Sequence, residues 1–498
     1  QEALEGYFLR ANYNYDNKYY VTGSVRADGS SKFRYNDDRW GVFWSVGGAW
    51  RISAEPWAAD ATWLTDLKLR ADYGVIGNQN GIGRYSGYQT WSYSATGYTT
   101  PGSYSPAGWK LSQNGFTTPL TWEKKKTVDV GLDFRLWDRF YGTMDWYQTN
   151  TDDVAWNAPI SYAMSGQTTL AANSARMRTR GFELELGVDI IKTPNTLWSF
   201  NVNGSTYYTT ILEVPEGTGS AQLNGCWTAP ADAWSIAGTG GTSNNITYLR
   251  GIGKPYYNMY IYKYGGVDPA SGLPLIASTV SSTNIDNLKK TSGNVYGDIV
   301  EGNTVYTTDY TLATRQEFGD ATPDFIGGFG TSLKWKNLDF SAQFAFQIGG
   351  KFLSVADANH YYRSDQTGYY HMSADLKGNT FTASNTGARY PMVILNNPNS
   401  NGYTGGSTIG SWAYTDMALY SASYLNVKNL TLGYNFPQKW MDKIGIGGIR
   451  VYASFDNFWM LTTHKGIDPR MSLVGGMDVG AMAYPYMRTC SLGVNVTF

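Results

Sequence analysis

Aromatic side chains among small polar residues are the groups in this sequence best suited to bind a ligand. Residues 85–104 carry Tyr85, Tyr88, Trp91 and Tyr93 between Ser, Thr and Gly, and residues 359–371 carry Tyr361, Tyr362 and Arg363. Aromatic faces stack on the C–H faces of sugar rings, and neighbouring hydroxyls and amides bind sugar hydroxyls. These residues are therefore candidate substrate-binding positions. The alternative is that the rings form an aromatic girdle or pack the loops against their neighbours.

Residues that could support catalysis or metal binding are few. The three histidines are His360, His371 and His464, and none has a nearby Ser or Cys in a nucleophile motif such as GxSxG. The spacing of His360 and His371 is not one that metal ligands commonly use. The sequence predicts no catalytic residue, no metal site and no cofactor, and hence a protein that is not an enzyme.

The composition narrows the fold class. The 498 residues include 57 Gly, 39 Tyr, 18 Trp and 20 Phe, while only 16% are charged. No run of 18 apolar residues is present, which excludes a helical membrane protein. Abundant Gly and aromatic residues are typical of transmembrane β-barrels, and a soluble β-sandwich array or propeller is the alternative. A net charge of −1 gives no basic surface for nucleic acid, and two cysteines cannot form a disulfide framework.

Alternating polar and apolar residues recur along the chain. In "LDFSAQFAFQI", Leu338, Phe340 and Ala342 share one face, and Asp339, Ser341 and Gln343 share the other. In "YLNVKNLTLGYNF" the alternation changes phase, which predicts a bulge near Lys428–Asn429. The pattern predicts strands at 5–15, 18–30, 40–52, 64–76, 121–136, 140–150, 176–191, 197–210, 324–336, 338–349, 422–436, 448–461 and 486–498.

The connections between these strands alternate in length. Short turns such as those at Asp16, Trp137, Lys192 and Lys336 alternate with long loops from Ser31, Gly77, Thr151, Ile211, Gly350 and Thr462. Short turns on one rim and long loops on the other are typical of outer-membrane barrels, whereas a propeller has no reason to separate them.

Several sequence blocks resemble one family. "SVRADGSSKFRYNDDRWGVFWSVGGAWRIS" resembles the SusC-like TonB-dependent transporters of Gram-negative outer membranes, and so do "RGFELELGV", "YKYGGVDPASGLP" and "SYLNVKNLTLGYNFP". The blocks follow one another over nearly the whole length. Asn426 departs from the family pattern, which often has Arg at this position.

The resemblance implies an all-β fold, a transmembrane antiparallel β-barrel of about 22 strands with a plugged lumen. The thirteen predicted strands would be the C-terminal part of that barrel. We therefore expect residues 1–498 to lack the plug domain and early strands, which a companion chain would carry.

The same resemblance implies a function and partners. We expect TonB-dependent import of a bulky nutrient across the outer membrane, with a SusD-like surface lipoprotein as a lid and the TonB–ExbB–ExbD system acting through the missing plug. Many relatives import glycans and some import peptides, so an oligosaccharide is the first choice of substrate and an oligopeptide the second. A passive porin and a barrel that serves as a scaffold for surface proteins are alternatives. Outer-membrane lipid and a second copy of the transporter are further expected partners.

The chain ends on an aromatic residue. Leu492, Val494, Val496 and Phe498 form one face of the last predicted strand. A terminal aromatic on such a strand resembles the signal by which outer-membrane proteins are recognised for assembly. The alternative is that Phe498 only packs at the membrane boundary.

Overall fold

The computed structural model describes most of the chain. The described residues are 2–33, 39–80, 82–84, 91–94, 97–100, 103–105, 108–111, 120–160, 169–220, 223–230, 247–279, 304–308, 313–362, 372–393, 415–470, 473–474, 477–478 and 485–498.

A thirteen-stranded antiparallel sheet dominates the described structure. Its strands follow one another in chain order, each paired with its neighbours in the sequence of strands. They are β1 Leu4–Tyr15, β2 Tyr19–Ser30, β3 Trp40–Arg51, β4 Leu64–Asn78, β5 Glu123–Leu136, β6 Phe140–Pro159, β7 Thr169–Thr193, β8 Thr196–Glu213, β9 Pro323–Trp335, β10 Leu338–Gly349, β11 Tyr424–Asn435, β12 Gly448–Thr462 and β13 Thr489–Thr497. The prediction of an all-β fold with thirteen sequential strands is confirmed.

The hairpin of β6 and β7 is longer than predicted. The sequence pattern predicts that β6 ends at residue 150 and that β7 begins at residue 176, but the two strands remain paired up to Pro159 and Thr169. The prediction of a long loop starting at Thr151 is therefore wrong. A register shift near Asp153, which has φ 58°, interrupts the alternation that identified the strand. The Asn173 side chain donates to the Asp153 carbonyl at 2.6 Å and holds the strands together past this irregularity.

The predicted bulge in β11 is present. Its register with β10 shifts between Gln343 and Phe344, so Lys428 is the extra residue in that pair of strands. On the other side the register with β12 shifts at the same place, where Asn457 and Phe458 of β12 lie opposite Lys428. The bulge lets Leu425 and Val427 share a face with Leu430 and Leu432 although their spacing changes parity.

The sheet has one polar and one apolar face. Asp145 of β6 lies opposite Glu183 of β7, and Glu185 of β7 lies opposite Asn203 of β8, all on the polar face. On the apolar face, Trp44, Val130 and Trp146 remain between 40% and 46% exposed. A strand pattern of this kind fits a sheet between water and an apolar medium.

Tryptophans line the edge of the sheet that carries the connections 16–18, 52–63, 137–139, 194–195, 336–337 and 436–447. More than a third of each side chain is exposed in Trp50, Trp57, Trp63, Trp137, Trp198, Trp335 and Trp440. Tryptophan prefers the interface between water and lipid because its ring is apolar and its N–H is polar.

The opposite edge carries the connections 31–39, 79–122, 160–168, 214–322, 350–423 and 463–488, which contain smaller elements. Smaller elements lie in the connections of both edges. The α-helices are α1 Val355–Tyr362 and α2 Gln438–Ile444, and 3-10 turns cover Ile52–Ala54, Pro56–Ala58, Ala374–Leu376 and Asp416–Ala418. The short strands are Trp91–Ser94, Gly97–Thr100, Ser103–Ser105, Gly108–Leu111, Trp227–Pro230, Thr247–Arg250, Asn258–Tyr262, Tyr264–Val267, Pro274–Thr279, Thr304–Thr307, Arg315–Asp320, Lys351–Leu353, Leu419–Ser421, Leu473–Val474 and Met477–Asp478. No helix in the described ranges is both long and apolar enough to cross a membrane.

Two of the long connections share one hydrophobic core, which we call the loop core. Connection 214–322 contributes Tyr248, Met259, Ile261 and Ile276; connection 350–423 contributes Leu353, Ala358, Tyr361, Leu376, Tyr390 and Ala418. Each of these side chains is at most 8% exposed. The two connections therefore pack against each other as a single unit.

Candidate functional site

Amide side chains meet on the polar face of β8–β11, and we call this group, Asn201, Asn203, Gln343 and Asn429, the amide row. Asn201, Gly330, Gln343 and Asn429 lie opposite one another on four neighbouring strands. A Cβ at position 330 would collide with both the Asn201 and the Gln343 amide, so these two groups lie over the glycine. The missing side chain at Gly330 is thus what lets the amides converge.

A row of hydroxyl groups, which we call the hydroxyl row, runs beside the amides. Ser199, Ser332, Ser341, Thr431, Ser454 and Ser491 lie opposite one another across β8–β13. Thr431 Oγ1 donates to Ser454 Oγ at 3.3 Å, and Asn429 Nδ2 donates to Asp456 Oδ1 at 2.7 Å. Hydroxyl and amide groups predominate in this part of the polar face, with the Asp456 carboxylate among them.

Two adjoining cavities lie along this surface. The first, of about 370 Å³, is lined by Asn201, Asn203, Gln343, Lys428 and Asn429, among others. The second, of about 550 Å³, is lined by residues that include Asp145, Glu183, Glu185, Asn203 and Tyr424.

The amides over the first cavity retain hydrogen-bonding capacity. Within the described residues, the side chains of Asn201, Asn203 and Gln343 have no hydrogen-bond partner, and all three are exposed. An amide offers both donors and acceptors. The cavity can therefore hydrogen-bond a neutral ligand that carries hydroxyl or amide groups.

The neighbouring part of the polar face is acidic. Arg70 of β4 donates to Asp133 Oδ2 at 2.9 Å and to Asp145 Oδ1 at 2.9 Å. Asp129 lies opposite Asp72 across β4 and β5. The polar face thus changes from carboxylate-rich on β4–β7 to amide- and hydroxyl-rich on β8–β13.

The structure describes only some of the candidate positions in the aromatic loops. Tyr85, Tyr88 and Arg363 lie outside the described residues. Trp91 and Tyr93 lie in a short strand that pairs with Gly108–Leu111, and Tyr362 ends α1; their backbones alone are described. Tyr361 is 8% exposed in the loop core, where its ring stacks on Tyr390 at 5.2 Å. Tyr361 is not among the residues that line either cavity.

The sequence pattern does not predict that the amides of the amide row converge. Asn201 and Asn203 in "FNVNGS" and Gln343 in "SAQF" do show the alternation of a wet strand face. Their convergence depends on pairing between β8, β9 and β10, which strand alternation does not reveal.

Comparison with known proteins identifies the family. The model described as "TonB dependent receptor-like, beta-barrel" matches residues 2–269, more than half of the chain. The chain belongs to the TonB-dependent receptor β-barrel family.

Individual members of this family are similar over the whole chain. TonB-dependent receptor P3 of Formosa agariphila is 28% identical over 100% of the chain and 46% of the receptor. TonB-dependent receptor SusC of Bacteroides thetaiotaomicron is 27% identical over 100% of the chain and 44% of that receptor. The chain spans less than half the length of these relatives.

A solved structure shows the same architecture. The structure entitled "Structure of the RagAB peptide transporter" is 26% identical with a TM-score of 0.71, over 100% of this chain and 48% of that one. The resemblance to SusC-like transporters is thus confirmed.

Family membership assigns the two faces of the sheet. TonB-dependent receptor barrels are outer-membrane proteins of Gram-negative bacteria, and they are transporters, not enzymes. In an outer-membrane barrel the apolar face contacts lipid and the polar face lines the lumen. The amide row, the hydroxyl row and the carboxylates of β4–β7 therefore face the lumen.

Proposed function

We propose that the transporter containing this chain imports an oligosaccharide across the outer membrane by the TonB-dependent mechanism. The main support for import is that the chain belongs to the TonB-dependent receptor barrel family. Similarity to SusC and RagAB supports a SusD-like lipoprotein as the lid. Energy would come from the TonB–ExbB–ExbD system through a plug domain.

The choice of an oligosaccharide rests on hydrogen-bonding chemistry. Asn201, Asn203 and Gln343 present unpaired amides to a cavity of about 370 Å³, beside the row of hydroxyls. Sugar hydroxyls both donate and accept hydrogen bonds, as amides do. We include the aromatic loop with Tyr85, Tyr88, Trp91 and Tyr93, together with Tyr361, Tyr362 and Arg363, as the proposed outer binding surface, since aromatic faces suit sugar rings.

An oligopeptide is the second candidate. The RagAB structure, 26% identical to this chain, is entitled a peptide transporter. Peptide groups also carry one donor and one acceptor per residue and would bind the same amides.

Two double variants of the whole transporter test the proposal. Changing Asn201 and Gln343 to Ala should reduce oligosaccharide uptake about tenfold, because two hydrogen bonds contribute roughly 0.5–1.5 kcal/mol each. Changing Trp91 and Tyr93 to Ala should weaken binding to a similar extent, through lost stacking of about 0.5–1.5 kcal/mol per ring. The control is Thr206→Ala on the opposite face of β8.

Uptake of labelled oligosaccharides and peptides is measured at equal outer-membrane levels of each variant. Unchanged uptake in a double variant would remove that surface from the transport route. Growth on peptides without growth on any oligosaccharide would overturn the substrate class. Loss of a co-purifying lipoprotein without any loss of uptake would argue against the lid.

We also propose how the sheet is completed. In a 22-stranded barrel, β1 and β13 would pair with strands of a companion segment that also carries the plug. This sheet would then be the C-terminal part of the barrel, in contact with outer-membrane lipid and with a second transporter. Phe498, which is 96% exposed, would act as the assembly signal. A scaffold for a surface protein complex is the alternative function, and it would be favoured if deletion of the transporter itself left uptake intact.

A further inference from the structure

Three segments at the long-connection edge of the barrel meet at His464. His464 lies two residues after the end of β12, Asp357 lies on α1, and Tyr420 lies in the short strand Leu419–Ser421. We call these three side chains the clasp.

The contacts within the clasp are close. The His464 ring stacks on the Tyr420 ring with centroids 3.6 Å apart and planes inclined by 15°. His464 Nε2 lies 2.6 Å from Asp357 Oδ2, at side-chain exposures of 21% and 20%. This oxygen is buried and has no hydrogen-bond partner of good geometry among the described residues, so the nearby imidazole is the group that can balance its charge.

The clasp connects parts of the structure that are distant in sequence. Phe352 pairs with Tyr420 across the two short strands, and Leu353 forms a parallel bridge with Met477 of connection 463–488. Thr463 Oγ1 donates to the Ser421 carbonyl at 3.1 Å. Because Leu353 also belongs to the loop core, the clasp lies where three long connections join.

We propose that the clasp is a pH-sensitive contact that holds connection 463–488 against α1 more tightly when the His464 imidazole is protonated. The attraction between imidazolium and carboxylate exists only while both groups are charged. A histidine side chain ordinarily protonates near pH 6.5 and an aspartate near pH 3.9. The added attraction is therefore present while the imidazole is protonated and the carboxylate is ionised, and it is lost as the pH rises and the imidazole releases its proton. Ring stacking on Tyr420 remains after that loss.

Other titratable groups lie near the clasp, and burial raises the pKa of one of them, Asp416. Burial, followed by the negative charge of Asp357 and the proximity of Tyr361, raises the pKa of Tyr420, so this phenol stays neutral. Lys465, a basic residue, follows His464 in the chain. Asp416, at the start of the turn preceding Tyr420, directs Oδ1 to the Tyr264 amide at 2.7 Å.

Hydrogen exchange of the whole transporter in lipid nanodiscs tests the clasp. Peptides covering α1 and the strand Leu419–Ser421 are followed at pH 8 and pH 6, and rates are corrected for the intrinsic effect of pH. We expect local opening in the wild type to be about two- to fivefold rarer at pH 6, the range that a partly exposed ion pair gives. His464→Phe keeps an aromatic ring for stacking but cannot be protonated, and should remove the difference.

His360→Phe is the matched control, because His360 is an exposed residue of the same helix and lies outside the clasp. It should retain the wild-type difference. Asp357→Asn keeps the histidine and should also remove the difference, which provides a second variant if His464→Phe fails to assemble. A wild-type difference that persists in His464→Phe or Asp357→Asn, or no difference in the wild type, would overturn the proposal.

Discussion

At the scale of single residues, Asp416 shows how a buried carboxylate is accommodated between two connections. Burial raises the pKa of Asp416, and the hydrogen bond from the Tyr264 amide at 2.7 Å only partly offsets this. A carboxyl whose pKa is raised on folding binds its proton more tightly in the folded state. Its favourable contribution is therefore complete below the unfolded pKa and is lost as the pH rises through the folded pKa.

Asp416→Asn should make the loop core more resistant to opening at pH 7, because Asn keeps the Oδ1 acceptor and removes the buried charge. Its stability should also change less between pH 4 and 7 than that of the wild type. Limited proteolysis of the loops at several pH values measures both effects. Asp416→Leu is the comparison, since it leaves the Tyr264 N–H without an acceptor and should cost about 1–3 kcal/mol. Equal destabilisation by Asn and Leu would contradict this account.

At the scale of elements, Lys428 decides which face of β11 meets the lumen. As the extra residue of β11 relative to β10, it changes the phase of every residue that precedes it in the strand. Without it, Leu425 and Val427 would turn towards the lumen and Asn426 would turn towards lipid.

Deletion of Lys428 should strongly reduce assembly of the barrel, because shifting a strand by one residue exchanges its two faces. Lys428→Ala keeps the residue count and should assemble at a level close to that of the wild type. The amount of heat-modifiable, folded protein in outer-membrane fractions measures both variants. Wild-type assembly of the deletion variant would mean that the bulge does not set the register.

At the scale of the whole molecule, the apolar face has the height that a membrane requires. Trp40 and Trp50 both point to the apolar face of β3 near its two ends. Their separation is about 33 Å along the strand, and a tilt of about 40° reduces this to roughly 25 Å, the height of the apolar band of outer-membrane barrels.

Above this band, the loop core makes connections 214–322 and 350–423 one cooperative unit. Ile276→Ala removes a fully buried side chain from that core and should destabilise it by about 2–5 kcal/mol. Cleavage by an added protease should therefore increase in both connections together, while the barrel remains folded. Val202→Ala, on the lipid-facing side of β8, is the control. Increased cleavage in connection 214–322 alone would show that the two connections open independently.

The positions of the strands, their two faces and a bulge near Lys428–Asn429 can be predicted from the sequence. Strand alternation has a period of two and needs only neighbouring residues, so it can be seen in one segment at a time. The sequence pattern predicts too short a hairpin for β6 and β7, because the irregularity near Asp153 interrupts that period. The tertiary structure alone decided that Asn201 meets Gln343 over Gly330, that His464 meets Asp357, and that Tyr361 packs in the loop core. Each of these contacts joins residues far apart in sequence, and their distances depend on strand pairing and loop packing that no local pattern encodes.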